Sequence, residues 1–147
     1  MNQTVPARAL ELFDSGMYCS ESVLQAMAEA QGLQGGVIPR IATGLGAGMG
    51  RTGGMCGAVS GAILAIGLTA GRQAPDQSVE PAFGMVQTLL REFEARHGSA
   101  SCPALIECDL STAEGQQTFV QEHRMERCRK YVEDAARIVE GLQPKPQ

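Results

Sequence analysis

Hydrophobic and polar positions along this chain recur mostly with the period of an α-helix. Runs of alternating β-branched residues are absent from the sequence, and so are Asn-Gly and Asp-Gly hairpin turns. The pattern predicts an all-α protein, a compact single-domain bundle of five or six helices. Residues 1–147 are expected to form one domain, with a core over about 5–142 and a frayed tail at 143–147.

Caps and breaks in the pattern set the bounds of the predicted helices. They are 5–14, 19 or 20 to 30, a short helix from Pro39 to Leu45, 55–70, 79 or 81 to 97, 102–106, and a helix or pair of helices over 112–142. A glycine-rich loop, 44–54, leads into the apolar helix 55–70. Ser111 and Glu114 predict a capping box before the last segment, which is expected to bend near His123.

The most apolar segment is 52–71, which lacks charged residues and is flanked by Arg51 and Arg72. Its length is close to the roughly 20 residues of a membrane-spanning helix. Six of its residues are glycine, however, and three more are Thr or Ser. We therefore expect a central buried helix and no membrane span.

Composition and charge narrow the classes of function. The net charge is −4 and the pI is about 5.2, and no basic cluster is present. An acidic chain without a basic cluster lacks the positive surface that nucleic acids bind, which excludes a nucleic-acid partner. The first fifteen residues carry charges and no apolar core of a secretory signal, so we expect a cytoplasmic protein. Its five cysteines are then expected to be thiols or metal ligands.

The cysteines are dispersed along the chain. Successive cysteines are separated by 36, 45, 5 and 19 residues, and none forms a C-x-x-C pair. This spacing differs from zinc ribbons, ferredoxins and thioredoxins. Any site made from these residues must therefore be assembled by tertiary packing.

The local position of each cysteine suggests chemistry. Cys19, Cys56 and Cys102 lie at predicted helix N-termini, where free N–H groups favour a thiolate and are expected to lower the thiol pKa. Cys128 lies on the apolar face of the last helix. Buried cysteines also fill cores without reacting, and Cys108 has the weakest case for a function.

The segment from Cys56 to Gly61, Cys-Gly-Ala-Val-Ser-Gly, resembles the central motif of the C_GCAxxG_C_C family, described as redox-active proteins. Cys19, Cys102 and Cys128 resemble the other three family cysteines, and the resemblance spans about residues 8–142. Pro103-Ala104 departs from the polar residues more frequent there, and Cys108 is an addition. The resemblance implies redox activity and a redox partner, an oxidoreductase or a transporter-associated protein.

Three functions remain open for these cysteines. In the first, the clustered cysteines serve thiol–disulfide exchange or electron transfer, and in the exchange Cys56 is the expected nucleophile, resolved by Cys19 or Cys102. In a metal centre, Cys19, Cys56, Cys102 and Cys128 bind an iron–sulfur cluster, with zinc as the second choice. In a helical adaptor, the cysteines are structural. We favour dithiol chemistry because the spacing lacks a ferredoxin signature.

Glycines surround the central cysteine. Gly53, Gly54 and Gly57 are candidate cofactor-binding residues, since N–H groups of such a loop can receive a sulfur atom or an anion. Gly53, Gly57 and Gly61 are spaced four apart and predict a flat helix face for close packing, which also allows a homo-oligomer. His97 is expected at a helix C-terminus, in a surface or capping role.

Overall fold

The computed structural model describes residues 3–144, and the all-α prediction is confirmed for them. Eight helical segments follow one another, with a 3-10 helix at Arg40–Leu45 before the third: α1 Val5–Asp14, α2 Cys19–Ala30, α3 Gly46–Arg51, α4 Gly57–Ala70, α5 Glu80–His97, α6 Cys102–Ile106, α7 Ala113–Gln121 and α8 Met125–Leu142. The expected five or six helices are too few, because the glycine-rich loop is itself helical and the last segment is two helices. Residues 145–147 of the expected frayed tail lie outside the described residues.

The centre of the bundle is the packing of α2 against α4, with α1 and α8 alongside. A Cβ added to Gly61 would lie 2.5 Å from the backbone oxygen of Ser20, so the two helices approach closely. Gly57 and Gly61 therefore form the predicted small-residue face. Gly53 does not belong to it, because it precedes the helix. The largest fully buried side chains include Phe93, Leu24, Met27, Ile66, Leu89, Ile106, Val23, Val59, Val132 and Val139.

The apolar helix α4 starts two residues later than predicted. Met55 forms an isolated antiparallel bridge with Ser101 instead, and the Cys56 N–H donates to the Ala100 oxygen at 2.7 Å. The N–H of Cys102 donates to the Gly54 oxygen at 2.9 Å. This short pairing holds the start of α6 against the start of α4. Within residues 3–144, no helix has both the length and the apolar character needed to cross a membrane.

The glycine-rich loop forms a left-handed turn. Residues 47–50 have φ between 54° and 68°, and Arg51 has φ 70°. L-residues pay about 1–2 kcal/mol each for this conformation, whereas glycine pays little. Glycines at 48 and 50 therefore make the turn accessible, while Ala47, Met49 and Arg51 remain strained.

The cap of α7 differs from the prediction by one residue. Thr112 is the N-cap, and its hydroxyl accepts the Gly115 N–H at 2.9 Å. Ser111 instead donates through its own hydroxyl to the Asp109 carboxylate. The chain turns at His123, which has φ 53°, and the next helix, α8, begins at Met125. The predicted break near His123 is thus confirmed.

His97 does not lie freely at the surface. Its Nε2 is 2.7 Å from a carboxylate oxygen of Asp134, a buried residue of α8. Arg96 and Arg137 also contact this carboxylate, at 3.0 and 2.7 Å. The His97 ring packs on Tyr131 with centroids 4.9 Å apart. The residue therefore joins α5 to α8, which sequence periodicity cannot show.

Candidate functional site: a cavity lined by four cysteines

Cys19, Cys56, Cys102 and Cys128 line one cavity of about 270 Å³. Cys19 begins α2, Cys56 is the N-cap of α4, Cys102 begins α6, and Cys128 lies in the first half of α8. All five cysteines of the chain are free thiols. Cys108 is not among the residues that line the cavity. Helix packing therefore gathers the four dispersed cysteines around one space.

Two glycines make room for sulfur atoms. A Cβ added to Gly57 would lie 2.3 Å from the Cys19 Sγ, so this sulfur rests directly on the backbone after Cys56. A Cβ added to Gly48 would lie 2.6 Å from the Cys102 Cβ and 3.2 Å from its Sγ. Gly57 is thus a site residue through its missing side chain, and Gly48 is one that sequence reasoning did not single out.

The other two candidate glycines contribute backbone. Gly54 accepts the Cys102 N–H and donates its own N–H to the Gly48 oxygen at 3.0 Å. Gly53 has φ 77°, and a Cβ there would come no closer than 4.0 Å to a neighbouring atom, in Pro103. Gly54 fixes the geometry of the site, while Gly53 serves the turn before it. Their binding of a cofactor stays a prediction.

Burial raises the thiol pKa values in the cavity. It raises the pKa of Cys102 to about 11 and that of Cys128 to about 12, and it also raises the pKa of Cys56. The neighbouring Cys19 sulfur adds to all three shifts, because two thiolates close together repel each other. The expected lowering by helix N-termini is wrong, since desolvation outweighs the helix-end N–H groups.

Among the four cavity cysteines, Cys19 has the largest number of backbone N–H groups that favour its thiolate form. Burial raises its pKa, while N–H groups of Ala47, Ser20 and Ala58 act in the opposite direction. These amides come from the left-handed turn, the start of α2 and the start of α4. The three segments therefore converge on one sulfur atom, and that sulfur is among the groups that raise the pKa of Cys56, Cys102 and Cys128.

The remaining lining is mostly apolar. α6 contributes Leu105 and Ile106, and α7 contributes Phe119 and Val120. Arg51 supplies the one charge among lining residues within 3–144, and its guanidinium lies 3.4 Å from the Tyr18 hydroxyl. Sequence reasoning missed these residues. Arg51 is marked only by being the charged residue beside the glycine run.

The four thiols do not form a metal-ligand set in this arrangement. Among residues 3–144, no three His, Cys, Asp or Glu side chains come together in a way that could hold a metal ion. Structural metal sites need three or four ligands converging at bonding distance. Within the described residues the four thiols thus line a shared space without converging as ligands of a single metal ion, and an iron–sulfur cluster stays a prediction.

Comparison with models of protein families places the cavity cysteines in a matched region. A family model described as "Putative redox-active protein (C_GCAxxG_C_C)" matches residues 17–142, which include all four cavity cysteines. Comparisons with curated proteins and with solved structures give no match.

Proposed function

The chain belongs to the C_GCAxxG_C_C family, and from this premise we propose that it acts by thiol–disulfide exchange within the cysteine cavity. The observation that carries the proposal is that four free thiols from four helices line one cavity. Thiols around a common space can pass a disulfide between them by thiolate attack, and without movement of the backbone where their Cα atoms lie about 4.4–6.8 Å apart. A redox partner, a homo-oligomer and a cytoplasmic location stay predictions.

Cys19 and Cys56 are the proposed reacting pair. The Cys19 sulfur rests on Gly57, the residue next to Cys56, and its proximity raises the Cys56 pKa. Only the thiolate attacks a disulfide. The backbone N–H groups around Cys19 favour that sulfur as the nucleophile and Cys56 as the resolving thiol, the reverse of the order expected from sequence.

The reaction balances as a two-electron exchange. The Cys19 thiolate, its proton lost to solvent, attacks one sulfur of an incoming disulfide, and the S–S bond breaks. The departing sulfur leaves with the electron pair and takes up a proton. Cys56 then loses its proton, attacks Cys19 in the mixed disulfide and releases the second sulfur as a thiol. Two protein thiols are oxidised and one external disulfide is reduced to two thiols.

Oxidation of the anaerobically reduced protein with diamide tests this proposal. We expect loss of two thiols per chain, with Cys19 linked to Cys56 in the peptide map. Cys19→Ser and Cys56→Ser should abolish that link, whereas the matched control Cys108→Ser should leave it intact. A protein that keeps five free thiols under diamide would contradict exchange chemistry and favour the adaptor function with structural cysteines.

A further inference from the structure

The cavity opens to solvent beside exposed apolar side chains. Val120 is 71% exposed and Met125 is 54% exposed, yet both line it. Deeper in, Leu105 and Ile106 are buried. A molecule that enters past Val120 meets an apolar wall from the mouth to the sulfur atoms. A lining of this kind favours the binding of an apolar ligand, because the ligand and the pocket both remove apolar surface from water.

Arg51 gives the mouth its charge. It lines the cavity and is exposed, and no carboxylate lies within ion-pair distance of it in the described part of the chain. Its one side-chain partner there is the neutral Tyr18 hydroxyl. The lining residues within 3–144 include no Asp or Glu. A single negative group on a ligand therefore finds a free cation at the entrance.

The volume limits the size of the ligand. At about 270 Å³, the cavity lies just below the roughly 300–1,000 Å³ typical of small-molecule sites. Cys56 is only 6% exposed and Cys19 only 9% exposed. A protein disulfide or a large charged peptide disulfide does not reach sulfur atoms at this depth without opening the bundle.

We propose that the cavity accepts a small apolar disulfide that bears one negative charge, or its reduced dithiol, with the charge at Arg51 and the sulfur atoms at Cys19 and Cys56. This inference rests on the proposed function and names its substrate class. The bound disulfide is the oxidant in the exchange: its S–S bond breaks, it leaves as a dithiol, and Cys19 and Cys56 become linked. The reverse reaction, in which the dithiol loses two electrons and two protons, reduces the protein.

Dihydrolipoate, which joins an apolar carboxylate chain to a dithiol, is a suitable probe. The protein is first oxidised with diamide, and its reduction is then followed with dihydrolipoate, with the neutral dihydrolipoamide and with the polar dithiothreitol. Each rate is divided by the rate of the same reductant on hydroxyethyl disulfide, which removes intrinsic reactivity. We expect a corrected rate for dihydrolipoate at least tenfold above dithiothreitol.

Matched variants separate the charge from the apolar wall. Arg51→Gln should lower the dihydrolipoate rate about fivefold, the size of one exposed ion pair, and leave dihydrolipoamide unchanged. Val120→Asp should slow reduction by both dihydrolipoate and dihydrolipoamide. Arg91→Gln and Phe83→Asp, exposed changes on α5 and outside the cavity lining, should slow neither.

The outcomes distinguish this inference from the function on which it rests. If diamide produces no intramolecular disulfide, exchange chemistry itself fails. If the disulfide forms but dihydrolipoate reduces it no faster than dithiothreitol after correction, the substrate class is wrong while exchange stands. Equal loss of rate for both lipoyl reductants in Arg51→Gln would overturn the assigned role of the charge.

Discussion

Gly57 shows at the scale of one residue why a side chain can be excluded from a site. The Cys19 sulfur occupies the place where a Cβ of Gly57 would stand. Gly57 has no positive φ, so its need for glycine comes from the contact and not from the backbone conformation. The glycine after the central cysteine of the family motif thus has a physical explanation in this chain.

Gly57→Ala is expected to displace the Cys19 sulfur and to destabilise the protein by about 1–3 kcal/mol, as overpacking does. The same substitution at Gly67, in the same helix, has open space around the new Cβ. Gly67→Ala should stabilise by about 0.5–1 kcal/mol, because alanine favours helix more than glycine. Urea unfolding and the rate of Cys19–Cys56 disulfide formation measure both variants. Equal stability of the two variants would argue against the sulfur contact.

The left-handed turn α3 shows how one element serves the site at the cost of strain. It places the Ala47 N–H near the Cys19 sulfur and the Gly48 backbone beside Cys102. Three L-residues hold positive φ values within five consecutive positions. Strain of this kind persists only where surrounding packing enforces it. Here the backbone N–H groups of Gly54 and Thr52 donate hydrogen bonds to the Gly48 oxygen, and these bonds hold the turn in its strained conformation.

A pair of alanine substitutions in α3 separates backbone strain from the contact with Cys102. Gly48 and Gly50 have similar φ values of 68° and 65°. Alanine at either position should cost about 1–2 kcal/mol of stability from strain. Only Gly48→Ala also meets Cys102, at 2.6 Å, whereas a Cβ at Gly50 reaches nothing nearer than 3.6 Å.

We therefore expect the Cys102 thiol to be alkylated by iodoacetamide at least several times faster in Gly48→Ala than in Gly50→Ala, because the clash moves it from its half-buried position. Peptide mass spectrometry after timed alkylation gives this rate. Similar rates in the two variants would show that Gly48 does not position Cys102.

At the scale of the whole molecule, the half-buried thiols of Cys102 and Cys128 make stability depend on pH. In the folded protein, burial raises the pKa of Cys102 to about 11 and of Cys128 to about 12, while an exposed thiol in the unfolded chain titrates near 9. Above pH 9 the unfolded chain loses these protons and the folded protein keeps them. Unfolding is then favoured as pH rises, so the stabilising effect is complete below pH 9 and declines above it.

Each such thiol should lower the free energy of unfolding by about 1 kcal/mol per pH unit above pH 9. Cys128→Ala removes one of them. Its free energy of unfolding should therefore fall less steeply between pH 9 and pH 10.5 than that of the natural chain, even though it is lower at pH 7 because packing is lost. Urea unfolding under reducing conditions measures both slopes, and identical slopes would contradict a raised pKa at Cys128.

Local sequence pattern determined most of the helices, because periodicity, caps and breaks act over a few residues. The bounds of α1, α2 and α6 follow directly from it, and the central Cys-Gly-Ala motif carries the resemblance that the match over 17–142 confirms. The glycine content of the sequence located the turn before Cys56. It could not show that the turn is left-handed, because that conformation depends on the hydrogen bonds that Thr52 and Gly54 donate to the Gly48 oxygen.

Tertiary structure alone decided the site. Cys19, Cys56 and Cys102 are separated by 36 and 45 residues, so only the packing of α2, α4 and α6 brings them to one cavity. The direction of the pKa shifts also depends on burial, which a helix N-terminus read from sequence does not reveal. The position of Arg51 at the cavity mouth is likewise set by residues that are close in space and distant in the chain, so the sequence alone does not show it.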